Sequence, residues 1–157
     1  MGHFFIMRHG EAEAHAASDA ERQLTSYGAA YSKQIAQQLA DYIAHLELDS
    51  LLLLHSPYTR ARQTAQEVKQ AIPAIKQVHC VDFATPDDDP SACFDRLERY
   101  AGKPFILVSH MPLVAALASL IVDGNKYSSQ GFHTSEVRAY TSETWGLGCG
   151  RFEARLY

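Results

Sequence analysis

The sequence predicts an α/β fold of three layers, a mainly parallel central sheet with helices on both faces, with residues 1–157 forming a single domain. Apolar, β-branched runs alternate with longer segments of helical period, the pattern of parallel strands joined by crossover helices. The chain of 157 residues is 46% apolar and 20% charged, globular composition at a length that buries roughly 70% of the unfolded surface. It contains no repeat, low-complexity tract or linker that would divide it.

Residues 3–9 read as the first strand. Residues 25–46 follow as a helix in which Ile35, Leu39, Ile43 and Leu46 recur every three or four positions. A second strand covers 49–55, a helix 58–72 ends before Pro73, a third strand covers 77–83, and a short helix covers 90–100. "FILVSH" is a fully buried strand, "PLVAALASLIVDG" a helix closed by Gly124, and 135–142 and 151–156 finish as strands around a Gly-rich turn.

Composition excludes several classes of function. The longest apolar runs, such as "LLLL" at 51–54, are far shorter than a membrane span. "MGHFFIMRHG" lacks a basic segment and a small-residue cleavage site, and Ile6 occupies the position where a myristoylation signal needs Ser or Thr, so the expected location is cytoplasmic. Cys80, Cys93 and Cys149 form no Cys-x-x-Cys pair, which argues for free thiols. A net charge of −4 with dispersed Lys and Arg gives no field for nucleic acid. No HExxH or HxH pattern occurs, so neither a metal nor another cofactor is expected.

Two junctions share a design. In "LLLLHSPYTRARQTA" and "FILVSHMPLVAALA" an apolar strand runs into Ser or His, then Pro, then a helix. Proline suits a first helical turn, where its missing N–H is no loss. Both junctions bring a helix N-terminus to the C-terminal edge of the sheet, where open α/β sheets bind ligands and free N–H groups attract anions. The first strand ends at Arg8-His9-Gly10, at the same edge.

Those three strand ends carry Arg8 and His9, Ser56 and Arg60, and Ser109 and His110. Guanidinium forks match phosphate oxygens and stay charged at every working pH, so paired arginines in a cleft point to a phosphoryl group. Taken alone, "MRHGE" leaves His9 open as acid/base, metal ligand, nucleophile or strand ending. Beside two cations a histidine remains neutral near pH 7, and neutral imidazole is a competent nucleophile. His9 would attack phosphorus and form a phosphohistidine that water hydrolyses. Gly10 would permit close backbone approach and offer its N–H, and His110 would stabilise charge on the equatorial oxygens.

"MRHG", "RQLTSYG", "SPYTRARQTA" and "SHMPLV", in this order and each at its strand-to-helix position, resemble the histidine phosphatase superfamily, the phosphoglycerate mutase-like fold. "SDAERQLTSYG", "FHTSEV" and the small size resemble its SixA-type phosphohistidine phosphatases. The resemblance implies that His9 is the phosphorylated nucleophile, that Arg8, Arg60 and His110 complete the phosphate pocket, and that Arg22 sits at its rim. The implied partner is a phosphohistidine-bearing protein such as a phosphotransfer domain, with phosphate or a similar anion in the pocket.

Many members of that superfamily carry a proton-donating carboxylate after the third strand, where this chain has "VDFATPDDDP" with Phe83 at the aligned position. Asp82, Asp87, Asp88 and Asp89 are nearby candidates. Losing a general acid costs about 10² to 10⁴ in rate for an alkoxide leaving group. A phosphorylated imidazole leaves as neutral imidazole, whose conjugate acid has a pKa near ~6.5. An N–P substrate is therefore favoured. About fifty residues separate Arg60 from His110, too few for a lid, and an open pocket suits a phosphohistidine presented on a protein surface. The competing readings are a phosphomonoesterase for a small metabolite and a non-catalytic phosphoprotein-binding module.

Several other residues are read more plainly. Ser56, Ser109 and Thr25 are helix caps first and ligand contacts second. Arg62 reads as an ion-pair residue, Thr134 and Ser135 as hydrogen-bond partners behind His110, and Tyr58 as either substrate-facing or a partly buried helix start.

Overall fold

A computed structural model describes residues 2–157. Six strands form one sheet: β1 (Gly2–Arg8), β2 (Leu51–His55), β3 (Ile75–Cys80), β4 (Phe105–Ser109), β5 (Val137–Ser142) and β6 (Gly150–Leu156). Their spatial order is β3-β2-β4-β1-β5-β6. The β3·β2, β2·β4 and β4·β1 pairs are parallel, while β1·β5 and β5·β6 are antiparallel. Four helices connect them: α1 (Ser26–His45), α2 (Thr59–Ala71), α3 (Pro90–Leu97) and α4 (Leu113–Asp123).

Strand side chains alternate between faces, and the central strands are apolar on both. Phe5, Met7, Leu53, Ile106 and Val108 pack against Ile35, Leu39 and Ile43 of α1 and Ala61, Ala65 and Val68 of α2. Phe4, Ile6, Leu54, Phe105 and Leu107 pack on the opposite face against Phe94 and Leu97 of α3 and Val114, Leu117 and Ile121 of α4. That double burial is why β4 reads as an unbroken apolar run.

β3 stops at Cys80, short of the expected 83. As an edge strand it is buried only at Ile75, and the chain then turns inward so that Val81, Phe83 and Ala84 join the core. The expected helix over 90–100 ends at Leu97 and tightens into a 3-10 turn, Glu98–Tyr100. β5 starts at Val137 because Ser135 is in the left-handed region, with φ of 65°. Pro57 and Pro112 stand before their helices instead of within the first turn, since α2 is capped at Tyr58 and α4 at Pro112. Gly124, with φ of 75°, closes α4 as expected.

Register fixes the site. Arg8 lies opposite Ser109, and His55 opposite Val108, so the residues that follow the three strands emerge side by side from one edge. His9 N–H donates to the Ser109 carbonyl at 2.9 Å, and Ser56 N–H to the Val108 carbonyl at 3.1 Å, carrying the ladder to the edge of the pocket.

Candidate active site

His9 and His110 face each other at the ends of β1 and β4, with ring centroids 5.0 Å apart. Arg60, in the first turn of α2, directs Nε at His9 Nε2 over 3.3 Å. Arg8 Nη1 donates to the Phe132 carbonyl at 2.8 Å, which leaves Arg8 Nε buried without a partner. The four residues expected to form the pocket do meet in one place.

Hydrogen bonding settles the proton positions on both rings. His9 Nδ1 lies 2.7 Å from the Gly10 carbonyl, which only accepts, so the proton is on Nδ1 and Nε2 keeps its lone pair. Ser56 Oγ accepts from Tyr58 N–H at 3.2 Å and lies 2.8 Å from His110 Nε2. Ser56 is fully buried, and among the described residues His110 Nε2 is the one acceptor for its hydroxyl proton. His110 therefore carries its own proton on Nδ1, a buried donor with no partner. A basic nitrogen thus sits beside two unpaired donors, Arg8 Nε and His110 Nδ1, which is what a phosphoryl group with bare oxygens requires.

Charge and burial keep both rings neutral. Burial, helped by Arg60 and Arg8, moves His9 from 6.5 down to about 4, against the pull of the Gly10 hydrogen bond. Burial first, then His9 and Arg60, bring His110 down to about 2. In nitrogen-15-labelled, ligand-free protein the His9 ring should titrate near pH 4; titration near 6.5 would contradict the desolvated site. An unfolded histidine binds its proton below about 6.5, so between that pH and 4 the unfolded chain holds more protons at His9. His9 therefore costs the fold stability as pH falls through this window.

Five expectations are corrected. Gly10 does not offer its N–H to the pocket, because that group donates to Thr64 Oγ1 at 3.0 Å. Its lack of a side chain serves packing instead: a Cβ would collide with Ser32 Oγ and lie 2.9 Å from the Gly28 carbonyl of α1. Ser109 neither caps nor faces ligand, since its buried hydroxyl donates to the Ala84 carbonyl at 2.8 Å. Ser56 is likewise no ligand contact in this arrangement; it reaches the pocket through His110. Ser135 lies behind His9, to which its N–H donates at 3.1 Å, and its hydroxyl meets Ser32 Oγ at 2.8 Å. Arg62 is exposed and forms no ion pair among the described residues.

Arg22 donates from Nε to the Glu13 carbonyl at 2.6 Å and from Nη1 to Asp19 at 2.9 Å, on the same Asp19 that binds Arg60. Tyr58 packs edge-on against His110 at 5.0 Å and lies under the Arg60 guanidinium. Thr25 caps α1 through Gly28 N–H and donates to Glu11 at 2.7 Å, which gives Glu11 a structural task. None of the carboxylates after β3 enters the pocket: Asp82 pairs with Arg96 at 3.6 Å, Asp88 holds Thr85, and Asp89 caps α3. Asp87 is exposed. Two participants were missed from the sequence, the Phe132 carbonyl on Arg8 and Asp19 on Arg60.

The profile of the histidine phosphatase superfamily (branch 1) matches residues 4–81. A phosphohistidine phosphatase SixA homolog of Haemophilus influenzae is 35% identical over 146 residues, covering 78% of this chain and 89% of that protein. Phosphohistidine phosphatase SixA of Escherichia coli is 32% identical over 147 residues, covering 92% and 88%. The chain belongs to the histidine phosphatase superfamily. Its α/β fold is shared with the solved structure of the protein histidine phosphatase SixA complexed with tungstate, at 28% identity and a TM-score of 0.84 over 98% of this chain and 96% of that one. As a histidine phosphatase, the chain is a phosphatase by family. Among the described residues no helix is long and apolar enough to cross a membrane.

Proposed function

We propose that this histidine phosphatase removes the phosphoryl group from phosphohistidine on a carrier protein, with His9 as the nucleophile. The observation that carries the reading is the pinned His9 ring: Nδ1–H held by Gly10 at 2.7 Å, and a basic Nε2 beside two unpaired buried donors. His9 Nε2 attacks phosphorus, the bond from phosphorus to the substrate nitrogen breaks, and its electron pair returns to the substrate ring. Water then attacks the phosphorylated His9, whose ring leaves as neutral imidazole because Nδ1 already holds a proton. Arg8 Nε, Arg60 and His110 Nδ1–H take the charge on the equatorial oxygens. Ser56 keeps the His110 proton on the side that serves this purpose, Gly10 seats His9 against α1, and Arg22 borders the opening.

The nature of the substrate is supported by the leaving group. Asp82, Asp88 and Asp89 are occupied elsewhere and Asp87 is exposed, which suits a group that departs without a donated proton, and the similar proteins of H. influenzae and E. coli bear the name phosphohistidine phosphatase. A phosphotransfer domain in a cytoplasmic signalling relay is the partner we assign, with residues 1–157 acting as one domain.

Initial rates of phosphate release from a phosphohistidine carrier protein, phosphoramidate and a sugar phosphate test this. Release from the first two should exceed release from the alkyl ester. The opposite preference would make the enzyme a metabolite phosphomonoesterase, and binding of the carrier without release would make it a recognition module.

A further inference from the structure

We infer that Asp19 fits the pocket to nitrogen–phosphorus bonds by accepting a hydrogen bond from the second ring nitrogen of the histidine being dephosphorylated. The inference rests on the phosphohistidine reading above and adds the residue that would recognise the leaving group.

Among the described residues, Asp19 has the only carboxylate that hydrogen-bonds a side chain of the His9, Arg8, Arg60 and His110 set. Arg60 spans the two partners, with Nε on His9 at 3.3 Å, Nη2 on Asp19 Oδ2 at 3.2 Å and Nη1 on the Asp19 carbonyl at 2.6 Å. The Arg60 side chain is 5% exposed, whereas that of Asp19 is 57% exposed, so the carboxylate lies at the open end of a buried clamp. Its separation from His9 Nε2 is at most two hydrogen bonds and the width of a guanidinium. A phosphoryl group in line with His9, followed by an imidazole ring, spans a similar length. Asp19 is also held below the usual carboxylate range by its hydrogen bond to Arg22, then by Arg60. It is therefore ionised, unfit to donate a proton and well suited to accept a hydrogen bond.

The chemistry of the leaving ring supplies the use. A phosphoimidazole whose second nitrogen carries a proton departs as neutral imidazole: the N–P electron pair stays on the nitrogen that held phosphorus, and the existing N–H remains on the other. Without that proton it would depart as an imidazolate anion, a far poorer leaving group. His9 already shows the arrangement, since its Nδ1–H is held by the Gly10 carbonyl while Nε2 faces phosphorus. Asp19 would do for the substrate ring what Gly10 does for His9, with a full negative charge that favours the protonated ring. The same ionised carboxylate has no proton for an alkoxide, so it also disfavours alkyl esters.

Asp19→Asn removes the charge and leaves the Asp19 carbonyl on Arg60. An aryl phosphate, whose phenolate departs without a donated proton, is the reference substrate. Measured on the intact chain, release from a phosphohistidine carrier should fall by about 10²-fold while aryl phosphate hydrolysis falls by less than about threefold. Part of the loss on phosphohistidine, and none of that on aryl phosphate, should return as pH is lowered and solvent protonates the substrate ring. Equal losses on both substrates would make Asp19 a brace for Arg60 and overturn the inference, as would an unchanged rate on phosphohistidine. Failure of the phosphohistidine reading would be visible separately, as absence of release by the wild-type protein.

Discussion

His9→Ala should lower phosphate release by about 10⁴-fold or more, the scale seen when the nucleophile of a covalent mechanism is removed. No neighbouring group can take over. His110 is neutral, but its Nε2 is occupied by Ser56 and its Nδ1 carries the proton, so it presents no lone pair to phosphorus. Oxyanion binding should survive, because Arg8, Arg60 and His110 remain, and calorimetric titration with tungstate should give a dissociation constant within about tenfold of wild type. Wild-type protein quenched during turnover should carry an acid-labile phosphoryl group that the variant lacks. Release from His9→Ala at a tenth or more of the wild-type rate would refute covalent catalysis at this position.

Glu136→Ala should destabilise the protein by about 3 to 5 kcal/mol, measured by urea unfolding, because it leaves the buried Arg138 guanidinium without its carboxylate. Glu136 has no exposed surface. It accepts from Arg138 Nε at 2.6 Å, from Arg155 Nη2 at 3.1 Å and from His133 N–H at 2.9 Å. Burial alone would raise its pKa, but the bonds from Arg155, His133 and Arg138 outweigh this and hold it below the ordinary value. Arg138 in turn binds Ser129 Oγ and the Gln130 and Gly131 carbonyls and stacks over the Phe132 ring at 3.8 Å. The Phe132 carbonyl then orients Arg8. The substitution should therefore also raise KM for the phosphorylated substrate, through a chain of contacts that begins away from phosphorus. Replacing Glu136 and Arg138 together with apolar residues should cost less stability than Glu136→Ala, since the one cation left without a partner, Arg155, reaches solvent. A loss below about 1 kcal/mol for Glu136→Ala would contradict this account.

Local chemistry explains why so much of the site was legible in the sequence. Each strand end is marked by an apolar run that stops at a polar residue, and α/β sheets gather such ends at one edge; Arg8, His9, Arg60 and His110 could be placed together on that ground. Residues whose work depends on distant partners were not legible in the same way. Ser109 looks like a cap until the chain after β3 brings the Ala84 carbonyl to its hydroxyl. Gly10 is needed, as expected, but its crowding comes from α1 and not from a ligand. The Phe132 carbonyl is 124 positions from Arg8, and a main-chain oxygen leaves no trace in residue identity. Asp19 sits inside the quoted "SDAERQLT" segment, three positions before Arg22, which reads as a local ion pair unless Arg60 is known to lie beneath it. The end of β3 was misplaced because Val81 and Phe83 are apolar for the sake of the core and not of the sheet.

The alignment of Arg8 with Ser109 and of His55 with Val108 has a bearing on how such a protein can change. Arg8, His9 and His110 are carried at the ends of main-chain ladders whose spacing no surface substitution can adjust, and Arg60 by the first turn of α2, whereas Asp19 and Arg22 hang on a connection outside the sheet. Chemistry and recognition are thereby inherited separately. A lineage can exchange one client for another by rewriting the connections, and every such experiment begins from a reaction centre that already works.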